Sequence, residues 1–368
     1  MKQISLTLLL ALASLGAIAQ GVTTTVLGTA NYPEGTQVKL SLFEPYQRDN
    51  TAIDSTVVKD GKFEFRNVET KTGGHIAVLY FGGQGGSDFI FLEGGTVNVK
   101  CNDDTAGQYY EVGGTPSNDA FNAMRQDIKQ VAFALHKIAE EYEAASDEAV
   151  KKTFQKEYIA LQEVQDSIMR IHVLRNPNTY LAAFLLPQLF YNMPADEIEK
   201  VLVQLPADSK DDARIKRIAE QVERQKPTLP GKTYLDFELN TPGGKKVKLS
   251  DYVGRHKLVL VDFWASWCGP CRADMPEVVQ LYKTYKKKGL EIVGVSLDNK
   301  ADAWQKAIGD LGITWPQMSD LQGWKCAAAT LYGVNSIPAT VLIGKDGVIV
   351  DRNLRGDKLK QKVADLLK

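Results

Sequence analysis

The sequence predicts a multidomain chain. It should hold a C-terminal α/β domain, a mixed sheet with helices on both faces, preceded by a helical segment and an N-terminal antiparallel β-sandwich-like domain. Three observations predict this. Residues 22–114 carry short alternating segments broken by turn signals, and residues 115–227 place apolar residues at steps of three and four. From residue 228 onward, strand-like and helix-like stretches alternate. The expected boundaries are 1–19, 20–114, 115–227 and 228–368.

The first 19 residues stand apart. Lys2 precedes an apolar run from Ile4 to Ile18, and Ala17-Ile18-Ala19 offers the small residues that a signal peptidase accepts before Gln20. The run is shorter than the roughly 20 residues of a membrane span. A cleaved export signal is expected, giving a periplasmic or secreted chain of the cell envelope, soluble and without a transmembrane span once the signal is removed. The net charge of −1 leaves no electrostatic footprint for nucleic acid. At 44% hydrophobic residues the chain can bury proper cores, and its four cysteines are too few for a disulfide scaffold.

In the N-terminal part, Val38 to Leu42 and Lys62 to Phe65 alternate with period two, and Asp60-Gly61 between Val58 and Lys62 is a hairpin signal. Phe89 to Leu92 and Val97 to Val99 continue the pattern, split by Glu93-Gly94-Gly95. The run Gly82-Gly83-Gln84-Gly85-Gly86 is not followed by a helix, so it reads as a hairpin loop rather than a phosphate cradle.

After Thr115-Pro116, the residues Phe121, Met124, Ile128, Val131, Leu135, Ile138 and Tyr142 share one helix face. Further helices are expected from Asp147 to Leu174, Tyr180 to Tyr191, Ala195 to Leu205 and Lys210 to Gln225. Their dense charges read as solvated faces rather than as a recognition surface.

Pro227 to Gly231 opens the last domain. A hairpin is expected at Phe237 to Leu249, then a strand from Leu258 to Trp264, a helix to Lys288 and a strand from Glu291 to Leu297. Next come a helix from Ala301 to Leu311, a short strand near Gln317 and a helix from Trp324 to Tyr332. Strands at Ala339 to Gly344 and Val348 to Arg352 follow, joined by Lys345-Asp346-Gly347, and a helix closes the chain.

Between the first long strand and its helix lies Cys268-Gly269-Pro270-Cys271. Two cysteines in the first turn of a helix can close a disulfide, and the helix N-terminus favours a thiolate on the first. Cys268 is the candidate nucleophile and Cys271 the resolving thiol. Half of a zinc site is the competing reading, but it needs a second pair of ligands, and His75, His136, His172 and His256 are scattered singly. No metal and no cofactor are expected. Pro270 suits the first turn because its missing N–H would have been unpaired there.

Val261-Asp262-Phe263-Trp264-Ala265-Ser266-Trp267-Cys268-Gly269-Pro270-Cys271 resembles the active-site segment of thioredoxins, and Ser336-Ile337-Pro338-Ala339-Thr340 resembles their cis-proline loop. Pro338 follows Cys271 by 67 residues, and the surplus over a minimal thioredoxin fits a helix-strand insertion from Ala301 to Leu321. Exported thioredoxins of the TlpA and ResA type carry such an insertion. Asp54 to Phe65 and Phe91-Leu92-Glu93-Gly94-Gly95 resemble the β domain of uncharacterised function often found N-terminal to such modules in bacterial envelope proteins. The chain is therefore identified as similar to the TlpA/ResA-like thiol-disulfide oxidoreductases.

That resemblance implies a buried, proton-accepting Asp262, a cis bond before Pro338, and an Ile337 backbone that hydrogen-bonds an extended substrate. Trp267, Gly269 and Pro270 would face that substrate. The expected activity is reduction of protein disulfides: the partners are a disulfide-bonded envelope protein and a membrane electron donor that restores the dithiol. Thiol peroxidase chemistry of the AhpC/TSA type is the rival enzyme reading, and a non-catalytic envelope binding module is the rival from another class. The chain departs from the family in two places. It has Asp274 where a glutamate is usual, and Ile292 to Ser296 lack the lysine that thioredoxins place near the buried aspartate, so an unusually high pKa is expected for Asp262. Cys101 and Cys326 are expected to be buried, unreactive thiols. A bridge between them would need closely packed domains.

Overall fold

The computed structural model describes residues 21–43, 52–71, 75–82, 89–101 and 110–368, so the expected export signal and residues 83–86 of the glycine-rich run lie outside the described residues. The chain divides into two units, residues 1–189 with 203–212, and residues 190–202 with 213–368. The helical stretch is thus shared between them.

The first unit begins with β1 (Val22–Thr29), β2 (Gln37–Leu42), β3 (Ala52–Val57), β4 (Lys62–Thr70), β5 (His75–Phe81), β6 (Phe89–Leu92), β7 (Gly95–Cys101) and β8 (Tyr110–Gly113). They form two sheets of order β4-β1-β7-β8 and β3-β2-β5-β6. Alternation along β4 buries Phe63, Phe65, Val68 and Thr70 and leaves most of the intervening residues in solvent, as a half-buried strand requires. Phe63 of β4 meets Phe81 of β5 edge to face at 5.4 Å, which joins the two sheets across the core. The turn between β3 and β4 takes left-handed backbone at both Asp60 (φ 51°) and Gly61 (φ 68°), the conformation that the Asp-Gly pair signals. One pairing departs from the antiparallel pattern: β1 runs parallel to β7. Parallel neighbours need a long crossover, and here it is made by the strands between them in sequence.

The helices α1 (Pro116–Ala144), α2 (Glu148–Arg175) and α3 (Tyr180–Leu189) complete this unit. Asp147 caps α2 by accepting from the amides of Ala149 and Val150. The start of α1 is satisfied from outside the helix: Glu93 accepts from Ser117 N (2.7 Å) and Ser117 Oγ (2.5 Å), while Asn118 both accepts from Phe91 N and donates to Phe91 O. The Phe91-Leu92-Glu93-Gly94-Gly95 segment is therefore the seat of α1. Phe121, Met124 and Leu135 are buried, but Ile128, Val131, Ile138 and Tyr142 are only half-buried. Along much of its length α1 packs on α2, and one partner helix covers only a narrow stripe.

The second unit contains α4 (Ala195–Gln204), whose last two residues belong to the first unit, and α5 (Ala213–Gln225). Then follow β9 (Glu238–Asn240), β10 (Lys246–Lys248), β11 (Leu258–Trp264), α6 (Gly269–Tyr285), β12 (Leu290–Ser296), α7 (Ala301–Asp310), β13 (Gln317–Met318), α8 (Ala327–Leu331), β14 (Ala339–Gly344), β15 (Ile349–Arg352) and α9 (Gly356–Leu366). The central sheet has the order β13-β12-β11-β14-β15, with β12 parallel and β14 antiparallel to β11. Every residue of β11 and of β12 is buried, as strands covered on both faces must be. This is the mixed sheet of a thioredoxin-like fold.

Two features of this unit are fixed by hydrogen bonds between segments distant or several residues apart in the chain. The Pro227 to Gly231 segment is held against the sheet, because Arg352 donates to Thr228 O at 3.2 Å and Gly231 N to Ile349 O at 2.8 Å. The helix expected from Trp324 begins only at Ala327. Residues 323–325 form a separate 3-10 turn, Cys326 is extended (φ −49°, ψ 126°), and Asp320 Oδ2 accepts from Ala327 N at 2.8 Å, which fixes the helix start there.

Candidate active site

Strand β11 delivers the chain to a short loop, Ala265-Ser266-Trp267, and Cys268 stands at the N-cap of α6 (φ −81°, ψ 101°). Cys271 N donates to Cys268 Sγ at 3.2 Å, and Cys268 N donates to Ala265 O at 3.1 Å. The first sulfur thus sits on an otherwise unpaired helix amide, the environment that favours negative charge. Cys268 and Cys271 form a disulfide with a Cα–Cα separation of 5.3 Å, so the structure holds the oxidised pair. Its exposed flank is made by Trp267, Gly269 and Pro270, while Cys268 and Cys271 themselves are only 4% and 2% exposed. Space is open on the side of Gly269 where a side chain would project.

The loop before β14 reaches the same place. The Ile337–Pro338 peptide is cis, and Ile337 O lies 3.7 Å from Cys268 Sγ. The two motifs separated by 67 residues are therefore brought together.

Asp262 lies on β11 with Gly294 of β12 and Thr340 of β14 as its neighbours in register. It is 5% exposed, and burial pushes its carboxyl up to about 7, with the charge of Asp274 adding to the rise and Arg355 opposing it. A cavity beneath the dithiol is lined by Asp262, Cys271, Asp274, Pro338, Arg355 and Lys360. Asp274 accepts from Arg355 Nε at 2.6 Å at its edge. The basic neighbour of Asp262 therefore comes from the start of α9, not from β12. At Gly294 a side chain would overlap the Gln317 amide, which accepts from Trp264 Nε1 at 2.9 Å.

Two further residues shape the site without having been singled out in the sequence. Asp298, 1% exposed, accepts from Ser266 N (2.9 Å), Ser266 Oγ (2.5 Å) and Ser296 Oγ (2.7 Å), and so anchors the loop just before the dithiol. The run Ser296-Leu297-Asp298 directly after an apolar strand is the signal that could have found it. Trp324 lies 6.0 Å from Trp267 between ring centroids. The helical pattern assigned to its segment hid it.

Cys326 is buried and Cys101 half-buried, both are free thiols, and burial pushes Cys326 up to about 11 and Cys101 up to about 12. Such groups are poor nucleophiles. Among the described residues no group of three or more His, Cys, Asp or Glu could hold a metal ion, and no helix is long and apolar enough to cross a membrane.

Comparison with known proteins gives independent findings. Residues 230–352 match the AhpC/TSA family, and residues 23–121 match a domain of unknown function, DUF4369. The thiol-disulfide oxidoreductase ResA of Bacillus anthracis is 35% identical over 138 residues, which is 38% of this chain and 76% of that protein. The ResA of Geobacillus kaustophilus is 38% identical over 119 residues, 32% of this chain and 66% of that protein. A solved thiol-disulfide oxidoreductase from Bacteroides fragilis is 33% identical and aligns over 37% of this chain and 99% of its own, with a TM-score of 0.35.

Proposed function

Because the chain belongs to the ResA family of thiol-disulfide oxidoreductases, with a redox-active Cys268–Cys271 pair, we propose that it works in the cell envelope as a reductant of protein disulfides. The observation that carries this reading is the pairing of two environments around one dithiol: a helix amide on Cys268 Sγ, and a buried carboxyl beside Cys271 whose pKa is raised to about 7.

The chemistry runs in two exchanges. In the reduced protein the Cys268 thiolate attacks one sulfur of a substrate disulfide, forming a mixed disulfide and expelling the other substrate sulfur as thiolate, which takes a proton from solvent. The Cys271 thiol then gives its proton to the Asp262 carboxylate, and its sulfur attacks Cys268 Sγ. That step releases the second substrate thiolate and leaves the Cys268–Cys271 disulfide seen in the structure. Two electrons have passed to the substrate, and a membrane-bound donor dithiol must return them. Ile337, beside Cys268, offers backbone groups to the substrate chain, and Pro338 lines the cavity that Cys271 also lines. Trp267, Gly269 and Pro270 form the exposed flank that a substrate meets first.

The test is capture with Cys271→Ser, which stalls the reaction at the mixed disulfide. Envelope proteins bound through Cys268 and released by a reductant are expected, and none with Cys268→Ser. The direction follows from the dithiol potential, since about 30 mV corresponds to 1.4 kcal/mol. A potential near the roughly −120 mV of a disulfide-forming oxidant would overturn the reductase reading. The AhpC/TSA match favours a second reading, in which the Cys268 thiolate cleaves a peroxide O–O bond and Cys271 closes the same disulfide with loss of water. Peroxide consumption by the reduced protein distinguishes it.

A further inference from the structure

Trp267 and Trp324 are 53% and 49% exposed, an unusual state for two large aromatic side chains that lie beside each other. Their rings are 6.0 Å apart and inclined at 54°, and they line a cleft whose floor includes Leu297 and Leu321. The loop that carries each ring is anchored by hydrogen bonds. Asp298 anchors Ser266, the residue before Trp267, through two hydrogen bonds and accepts a third from Ser296 Oγ. On the other side, Leu321 has left-handed backbone (φ 57°), a strained state for a bulky residue, and its amide donates to Ser319 Oγ at 3.0 Å. Asp320 fixes both ends of the turn that carries Trp324, accepting from Gln322 N at 3.1 Å and from Ala327 N at 2.8 Å. Gly323 allows that turn to close on Asn299, because a side chain there would overlap the Asn299 amide.

A strained, hydrogen-bonded loop that presents an exposed tryptophan is a preorganised contact, and it costs little further ordering when a partner binds. Trp267, which lines the cleft, is the residue next to Cys268. A polypeptide whose sulfur reaches Cys268 therefore passes beside a residue of this cleft.

We propose that Trp267 and Trp324 form a subsite for an aromatic side chain, one or two positions from the reacting cysteine of an extended polypeptide substrate. A residue of extended chain spans about 3.3–3.6 Å, so a side chain at that remove reaches the cleft while its neighbour's sulfur is at Cys268. Three rings at mutual offsets of about 4.5–7 Å make a favourable aromatic cluster. The subsite deepens the disulfide-reductase reading and rests on it for the identity of the occupant.

The experiment uses two cystine-bridged peptides that differ only in Phe or Ala two residues from the cysteine, with the full chain. Wild type is expected to reduce the Phe peptide with a KM about five- to tenfold lower and a similar kcat. Trp324→Ala removes that preference, and Trp324→Phe keeps most of it. Equal KM values for the two peptides with wild type, or a Trp324→Ala loss that is the same for both, would overturn the subsite. Binding of the same peptides with both cysteines replaced by serine, followed by tryptophan fluorescence, reads the cleft without electron transfer: tighter binding of the Phe peptide supports it and equal binding overturns it. Reduction of bis(2-hydroxyethyl) disulfide by wild type monitors the dithiol separately, so a failure of the reductase reading shows there alone.

Discussion

Arg355 Nε donates to Asp274 Oδ2 at 2.6 Å, and the pair lies at the edge of the cavity that holds the buried carboxyl of Asp262. The two charges act on Asp262 in opposite senses, Asp274 raising its pKa and Arg355 lowering it. Removing the cation therefore disfavours ionisation of Asp262. With Arg355→Met, the rise of the single-turnover reduction rate with pH is expected to move above its wild-type midpoint near 7, and the rate at pH 7 to fall roughly threefold. Asp274→Asn should move the midpoint the other way. Stopped-flow pH profiles check both, and unchanged midpoints would remove Asp262 from the proton transfer.

The same carboxyl sets a pH dependence of stability. Its pKa rises from 3.8 to about 7 on folding, so between those values the folded state holds a proton that the unfolded state has lost. Stability from this group is fully present below pH 4 and is lost as pH rises through 7. Asp262→Asn abolishes the loss, and above pH 7 the variant is expected to be more stable than wild type by on the order of 4 kcal/mol. Urea unfolding at pH 4.5 and pH 8 checks the sign: the gap must widen with pH.

Asp298 is buried and holds Ser266 by its amide and its hydroxyl. Asp298→Ala leaves the Ser266 amide without its acceptor and frees the loop before the dithiol, at an expected cost of about 2–3 kcal/mol in stability. Disulfide reduction should lose kcat with the Phe and Ala peptides alike. Asp298→Asn, which keeps an acceptor, should recover part of both losses. Denaturant midpoints and steady-state kinetics separate the two effects.

In the first unit, Glu93 supplies the acceptors that start α1. Glu93→Ala leaves the amide and the hydroxyl proton of the buried Ser117 without their acceptor, although Ser117 Oγ still accepts from Tyr180 N, and a destabilisation of about 2 kcal/mol is expected. Faster hydrogen exchange at the amides of residues 117–121 is the measurement, and protection equal to wild type would refute the role.

Much of this was legible in the sequence because it depends on neighbours in the chain. The edges of β11 and β14, the left-handed Asp60-Gly61 turn and the dithiol at the head of α6 follow from local patterning. What stayed hidden depends on contacts between distant segments. Arg355 acts on Asp262 from the start of another helix, and Glu93 caps a helix that begins more than twenty residues later. The start of α8 is set by Asp320, seven residues earlier, so a continuous apolar pattern concealed the break at Cys326 and with it the exposure of Trp324. The parallel β1–β7 pair is similarly invisible to a period-two pattern, which reports faces and not partners.

The near-complete burial of Cys268 and Cys271, 4% and 2% exposed as residues, has a consequence for a dithiol that would work in an oxidising compartment. Thiol–disulfide exchange requires the attacking sulfur to approach the bridge directly, and access limits its rate. Bulky ambient thiols and oxidants meet Trp267, Gly269 and Pro270 first, whereas a protein that threads a single protruding cysteine past them reaches the bridge. The wrapping thus acts as a filter of shape: exchange at this bridge favours a sulfur presented on a narrow, unhindered segment.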